Sequence, residues 1–130
     1  MHQPGVPVAP FDWMEFLTFA KRIAANLELS VSQEAKLRCA ISRAYYAAYH
    51  KAEKVVFPTG PPNRWGSHTQ VIDELQSSDD PLRRGFGVEL ARLRGTRTKA
   101  DYRDTLHNVS SETENTLIAA EELIIGLDGL

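Results

Sequence analysis

The 130-residue sequence has little of what usually marks a secreted, membrane or metal-binding protein. Its one cysteine, Cys39, excludes a disulfide within the chain and a cysteine-rich metal site, and its apolar neighbours predict a packed thiol. No run approaches the roughly 18 apolar residues of a membrane helix. The first ten residues also lack the basic and apolar regions of a secretion signal. We therefore expect a soluble, cytoplasmic protein that does not enter the membrane.

Metal-binding and phosphate-binding motifs are missing as well. The four histidines show neither His-x-x-x-His spacing nor a helical carboxylate-x-x-His motif, and the chain has no G-x-x-x-x-G-K loop. These absences predict no metal ion and no bound cofactor. No segment alternates apolar and polar residues with the period of two that indicates a β-strand. The sequence therefore predicts an all-α protein.

A composition of 42% hydrophobic and 25% charged residues suits one domain with a hydrophobic core. The chain is too short for two such domains. Residues 1–10 contain three prolines and a glycine and are predicted to be a flexible tail. Residues 11–130 are then expected to form a single helical domain.

Helical periodicity and capping residues predict an up-and-down bundle of four main helices, with a short helix before the fourth. A capping box of Ser30 with Gln33 marks the start of the long second helix, and Phe57 with Pro58 marks its end. The expected helices are residues 12–29, 30–57 and 67–77, one that begins at Asp80 and Pro81, and one that begins at Ser111.

The second helix has two faces that both avoid solvent. One face is an apolar stripe of small and aliphatic residues, namely Leu37, Ile41, Ala44, Ala48, Ala52 and Val55. The opposite face groups Arg43, Tyr46 and His50. This second face is predicted to be covered by more of the same chain or by a second copy. Its three polar residues are either a binding site or a buried polar contact.

Basic residues are concentrated in one segment, which favours an anionic ligand. Residues 82–104 contain seven basic and three acidic residues, whereas the chain after Val109 has five acids and no base. Arg97 falls within an apolar stripe and needs a partner, which Asp101 can supply four residues later. Arg94 in the same segment and His68 in the first turn of the short helix are further candidate ligand-binding residues.

The segment FPTGPPNRWGS, residues 57–67, has too many prolines and glycines for regular structure. It is predicted to be a surface loop. Trp65 within this loop is either a hydrophobic lid over the end of the bundle, which we favour, or an exposed platform on which a ligand stacks.

Three segments, taken in order, resemble the HEPN domain (higher eukaryotes and prokaryotes nucleotide-binding). They are SRAYYAAYHKA in the second helix, SHTQVIDEL after the loop, and LARLRGTRTKADYRD in the basic segment. The resemblance extends from about Gln33 to the C-terminus and is nearest to the small stand-alone prokaryotic members. It implies a four- or five-helix bundle of the HEPN type that pairs into a homodimer.

The same resemblance implies a functional setting. Members of the family often occur beside a minimal nucleotidyltransferase, or within a toxin–antitoxin or defence system. RNA or a nucleotide is then the implied ligand, and a nucleotidyltransferase the implied partner protein. Many members are metal-independent endoribonucleases with an Arg-x4-6-His motif, in which the arginines and histidines of two subunits meet at the dimer cleft.

In this chain Arg97 matches the motif arginine, whereas the fifth residue after it is Tyr102 instead of histidine. Tyrosine can hydrogen-bond a phosphate, but its ordinary pKa near 10 makes it a poor general base at neutral pH. Arg43 and His50 have the Arg-x6-His spacing but lie on the earlier helix. We therefore expect a homodimer that binds RNA or a nucleotide. The alternative is an active ribonuclease that uses Arg97 with Tyr102 or His50.

Overall fold

Five α-helices and the loops between them make up the part of the chain that the computed structural model describes, residues 9–28 and 30–130. The helices are α1 Glu15–Ala25, α2 Gln33–Val56, α3 Ser67–Gln76, α4 Pro81–Tyr102 and α5 Val109–Asp128. Within these residues there is no β-strand, so the prediction of an all-α helical bundle is confirmed. Most of the predicted tail, residues 1–8, and Leu29 at the predicted end of the first helix lie outside the described residues.

The helices begin where a side chain or a turn satisfies their first amide groups. The Asp80 carboxylate accepts from the Leu82 amide at 3.0 Å and Pro81 is the first residue of α4, as predicted. The cap of α2 is Ser32 and not Ser30, because the Ser32 hydroxyl is the group that accepts from an amide of the first turn, at 3.1 Å. Predicted boundaries are thus correct to within a few residues.

The central element is α2, which contacts all four other helices. Its apolar face carries five alanines that are completely buried: Ala40, Ala44, Ala47, Ala48 and Ala52. Small side chains allow neighbouring helices to approach closely, and the longer Leu90, Leu93, Leu123 and Leu127 of α4 and α5 complete the core. The stripe that the sequence predicts therefore faces the core.

Glycine is required where two helices come closest. A Cβ atom on Gly87 of α4 would lie 2.8–2.9 Å from atoms of Gln76 and Leu75 on α3. A Cβ atom on Gly126 of α5 would lie 2.7 Å from the ring of Phe86. Both distances are shorter than a carbon atom tolerates, so these glycines set how closely α4 packs against α3 and α5.

The C-terminal end of α4 is held by a side chain from α2. Arg38 donates from Nη1 to the carbonyl oxygens of Ala100, at 3.0 Å, and Arg103, at 2.6 Å. Carbonyl groups at the end of a helix have no partner within the helix and carry partial negative charge, which a guanidinium group neutralises. This contact fixes the last turns of α4, which contain Arg97 and Asp101, against α2.

Two predictions about single side chains are wrong. Cys39 is exposed and not packed. Trp65 is 87% exposed and therefore does not act as a lid over the bundle.

Across the described part of the chain, none of the helices has the length and apolar character needed to cross a membrane.

Candidate functional site

Arg97 and Asp101 form the ion pair that their spacing predicts. Arg97 Nη1 lies 3.3 Å from Asp101 Oδ2, and the two side chains are 13% and 30% exposed. The Ser42 hydroxyl of α2 donates to the same carboxylate oxygen at 3.3 Å. The Nε atom of Arg97 is buried and has no hydrogen-bond acceptor among the described residues. Because Nε is sealed from solvent, an anionic ligand in the groove can meet this guanidinium only through its other N–H groups.

Two guanidinium groups lie against the ring of Tyr46. The Cζ atom of Arg43 is 5.0 Å, and that of Arg97 5.4 Å, from the centroid of this ring. Arg43 also lies 4.8 Å from the ring of Phe16 in α1 and donates to the Ser42 hydroxyl at 3.2 Å. Attraction between cations and aromatic faces, together with these hydrogen bonds, holds both arginines in place.

His68 of α3 is packed between two tyrosines of α2. Its ring stacks on Tyr49 with a centroid separation of 3.8 Å, and its Nδ1 lies 2.5 Å from the hydroxyl of Tyr45. Burial, assisted by the positive charges of Arg94 and Arg97, lowers the pKa of His68 from 6.5 to about 4. Burial raises the pKa of Tyr45. At neutral pH the imidazole of His68 is therefore uncharged and shares one hydrogen bond with the Tyr45 hydroxyl through Nδ1.

His50 is covered by the residues that precede α1. The ring of Trp13 stacks on it with a centroid separation of 3.5 Å and an interplanar angle of 10°. Burial lowers the pKa of His50, although the nearby Glu53 carboxylate acts in the opposite direction. From the sequence, this face of α2 is expected to be covered by more of the same chain or by a second copy. In the structure, Trp13 and Phe16 of the same chain cover part of it.

A groove of about 860 Å³ runs between α3 and α4, and we call it the basic groove. Its charged lining consists of one acid, Asp73, and four bases, namely Arg94, Arg97, Lys99 and Arg103. Arg94 donates to the Thr69 hydroxyl of α3 at 3.2 Å. Tyr102 lines the same groove and is 76% exposed. The groove therefore combines an excess of positive charge with hydrogen-bond donors.

A second groove of about 680 Å³ lies between α2, the loop of residues 57–66 and the start of α3. We call it the aromatic groove, because five rings line it: Trp13, Tyr46, Tyr49, His50 and His68. Glu53 and Arg64 supply its charged groups. The two grooves adjoin where Arg97, from the basic groove, contacts Tyr46, from the aromatic groove.

The structure gathers the candidate residues from the sequence on one side of the bundle. Tyr46, His50 and His68 line the aromatic groove, and Arg94, Arg97 and Tyr102 line the basic groove. Arg43 contacts Tyr46 of the first set, and Asp101 contacts Arg97 of the second. Sequence reasoning missed Trp13, Ser42, Tyr45, Tyr49 and Glu53 as parts of the site. The i, i+4 spacing of Tyr49 and Glu53 was a usable signal for one of these contacts.

In the described part of the chain no three histidine, cysteine, aspartate or glutamate side chains are grouped so that they could hold a metal ion.

Comparison of the chain with protein-family models, with curated proteins and with solved structures found no match. What can be inferred about function therefore depends on the two grooves and on the resemblance of the sequence segments.

Proposed function

We propose that this chain is a cytoplasmic protein of the HEPN type that binds RNA or a nucleotide as a homodimer, with a phosphate group in the basic groove. The observation that carries the proposal is the charge of this groove, with four basic side chains against one acidic side chain. Such an excess attracts phosphate groups and raises the rate at which a polyanion associates. The groove volume of about 860 Å³ lies within the range of ligand sites.

Arg97 is the residue that we assign to the phosphate. Its guanidinium is positioned by Asp101 and by two tyrosine rings, so little side-chain entropy is lost when it meets a ligand. Its buried Nε donor has no acceptor in the described part of the chain. A phosphate oxygen in the groove would give the guanidinium a further charge-assisted hydrogen bond.

The homodimer and the partner protein rest on the HEPN resemblance. A toxin–antitoxin or defence system that pairs the chain with a nucleotidyltransferase is the proposed setting. Tyr46 is half-buried, although Trp13 covers His50 and Phe16 lies against Arg43 on the same face of α2, so surface is left there for a second copy. Light scattering at about tens of micromolar protein should give the mass of a dimer. Tyr46→Glu should reduce that mass, and a strict monomer would contradict the assembly.

The second candidate function is metal-independent RNA cleavage, in which the 2′-oxygen attacks the phosphorus of a phosphate whose charge Arg97 neutralises and displaces the 5′-oxygen. A neighbouring group takes the proton of the 2′-hydroxyl, and a proton is returned to the departing 5′-oxygen. Tyr102 is favoured for this role over His50, because it lines the same groove as Arg97. His50 stacks under Trp13 on the far side of Tyr46. Cleavage would yield a cyclic phosphate and would persist in EDTA.

One experiment tests both functions. Wild type, Arg97→Ala and Arg92→Ala are incubated with total RNA in EDTA, and binding and fragments are measured. Arg92 is the matched control, because it loses the same charge from the same helix but is paired with Glu89 and lies outside the groove. We expect Arg97→Ala to stay folded and to weaken RNA binding about tenfold or more, with a salt slope reduced by about one.

Equal losses of affinity in the two variants would contradict the proposal, since they would reflect net charge alone. Failure of Arg97→Ala to fold would also count against it. Removal of a purely structural buried arginine that leaves Asp101 unpaired costs about 3–5 kcal/mol. Discrete fragments from the wild type that Arg97→Ala does not produce would establish the ribonuclease.

A further inference from the structure

Glu53 is an unusual residue for the wall of the aromatic groove. It is half-buried, and no lysine or arginine among the described residues lies within ion-pair distance of its carboxylate. Its Oε2 accepts a hydrogen bond from the Tyr49 hydroxyl, whereas its Oε1 accepts none from the described part of the chain. A half-buried carboxylate with an unused oxygen is a strong acceptor for a ligand that carries N–H groups.

The Glu53 carboxylate is held in position by its neighbours. The Tyr49 hydroxyl has one proton and gives it to Glu53, so it accepts from the Ser67 hydroxyl, 2.8 Å away. The Tyr49 ring is fixed in turn by its stack on His68. The carboxylate therefore keeps one orientation in a groove whose other walls are mainly aromatic rings, which suits a flat ligand.

The loop across the groove is also preorganised. The Gln70 side chain of α3 donates to the carbonyl oxygens of Asn63 at 2.9 Å and Trp65 at 3.1 Å, and accepts from the Asn63 amide at 3.2 Å. These bonds hold the segment that contains Arg64, an exposed cation that lines the groove. The groove thus has an acceptor on one wall and a positive charge at its rim.

Guanine fits this arrangement better than the other bases. Its N1–H and 2-amino groups are adjacent donors, so both oxygens of one carboxylate can accept from a single base. Adenine, cytosine and uracil each place an acceptor beside their donor on that edge, which repels a carboxylate oxygen. Good bidentate pairs discriminate between bases by a factor of about ten or more.

We propose that the aromatic groove is a guanine-binding pocket in which Glu53 accepts from N1–H and the 2-amino group while Arg64 faces the phosphate of the same nucleotide. This inference rests on the proposed RNA or nucleotide binding and names the base that the protein selects. The adjoining basic groove then holds a neighbouring phosphate of the same strand.

The test uses fluorescent pentaribonucleotides that differ only at the central base of a uridine sequence, where they carry guanine, hypoxanthine, adenine, cytosine or uracil. Dissociation constants are measured by anisotropy for wild type, Glu53→Gln, Glu74→Gln and Arg97→Ala. Glu74 is the matched control, because it is an exposed glutamate of α3 that lines neither groove. Melting curves confirm that each variant is folded.

We expect the wild type to bind the guanine oligonucleotide about tenfold more tightly than the uracil one, with hypoxanthine between them because it lacks the 2-amino group. Glu53→Gln should remove this preference, Glu74→Gln should keep it, and Arg97→Ala should weaken all five oligonucleotides by the same factor. Equal affinity of the wild type for all five, or an unchanged preference in Glu53→Gln, would overturn the guanine pocket alone. No binding of any oligonucleotide would overturn the proposed function and this inference together.

Discussion

The two faces of α2 pack in opposite ways. On one face Ala44, Ala48 and Ala52 are completely buried, and they have no polar side-chain atoms that need partners. On the face beside it Tyr45 and Tyr49 are also buried, but their hydroxyl groups are hydrogen-bonded, to His68 and to Glu53 and Ser67; we call this the tyrosine face. The same helix thus joins a tightly packed apolar core to a network of rings and polar groups.

This difference separates the part of α2 that stabilises the fold from the part that lies beside the grooves. Small residues let α5 and α4 pack closely against α2, which excludes water. Beside the large rings, an open groove lies between α2, the start of α3 and Trp13. Changes on the alanine face should therefore affect folding, whereas changes on the tyrosine face should affect the site.

The largest expected effect comes from enlarging a side chain on the alanine face. Ala48→Leu adds three carbon atoms at a position with no exposed surface and should lower the free energy of unfolding by about 3 kcal/mol. Urea denaturation measures this loss. Cys39→Leu, at an exposed position of the same helix, should change it by less than about 0.5 kcal/mol. Equal effects of the two variants would show that the alanine face is packed no more tightly than an exposed position of the same helix.

A smaller effect is expected where α3 and α4 approach each other and position His68 and Arg97. Gly87→Ala places a Cβ atom 2.8–2.9 Å from α3 and should cost about 1–2 kcal/mol, even though alanine favours a helix. Gly85→Ala, two residues earlier, meets no atom within 4 Å and should stabilise the protein by about 0.5–1 kcal/mol. Thermal melting of both variants tests whether the two changes in stability have opposite signs.

The polar network on the tyrosine face should contribute less than the alanine core. Tyr49→Phe keeps the ring that stacks on His68 but removes the hydroxyl between Glu53 and Ser67, so we expect a loss of about 1 kcal/mol. Chemical denaturation measures this value. A loss as large as that of Ala48→Leu would mean that the network, and not the alanine face, dominates stability.

Stability should also depend on pH through His68. Its pKa of about 4 in the folded protein lies below the ordinary 6.5, so between these values the unfolded chain binds a proton that the folded chain does not. Stability should therefore fall as the pH decreases from about 6.5 to about 4. His68→Asn should reduce the slope of melting temperature against pH in this range, while His50 keeps its own contribution in both proteins. Parallel curves would contradict this role of His68.

The exposed loop that contains Trp65 allows one more test that separates stability from ligand binding. Trp65 is 87% exposed beside Arg64 of the aromatic groove, which leaves the ligand-stacking alternative from the sequence as a prediction. Trp65→Ala should leave the melting temperature within about two degrees. The measurement is the quenching of tryptophan fluorescence by an added oligonucleotide: the variant should lose the part that comes from Trp65 and keep the part that comes from Trp13, which lines the aromatic groove.

Local patterns in the sequence were sufficient for the helices and for contacts within one helix. The pairing of Arg97 with Asp101 follows from the helical period, because residues four apart lie on the same face whatever the rest of the fold does. The apolar stripe of α2 and the start of α4 at Asp80 and Pro81 follow from equally local rules. These features depend on backbone geometry that a short segment adopts independently of the rest of the fold.

Contacts between helices depended on the tertiary structure. The bond from Tyr45 to His68 joins residues 23 positions apart, the bond from Ser42 to Asp101 joins residues 59 apart, and Trp13 reaches His50 from before α1. The exposure of Trp65 also depends on where its loop lies relative to the helices. No periodic pattern encodes such contacts, because they depend on the relative positions of whole helices once the alanine face of α2 is buried.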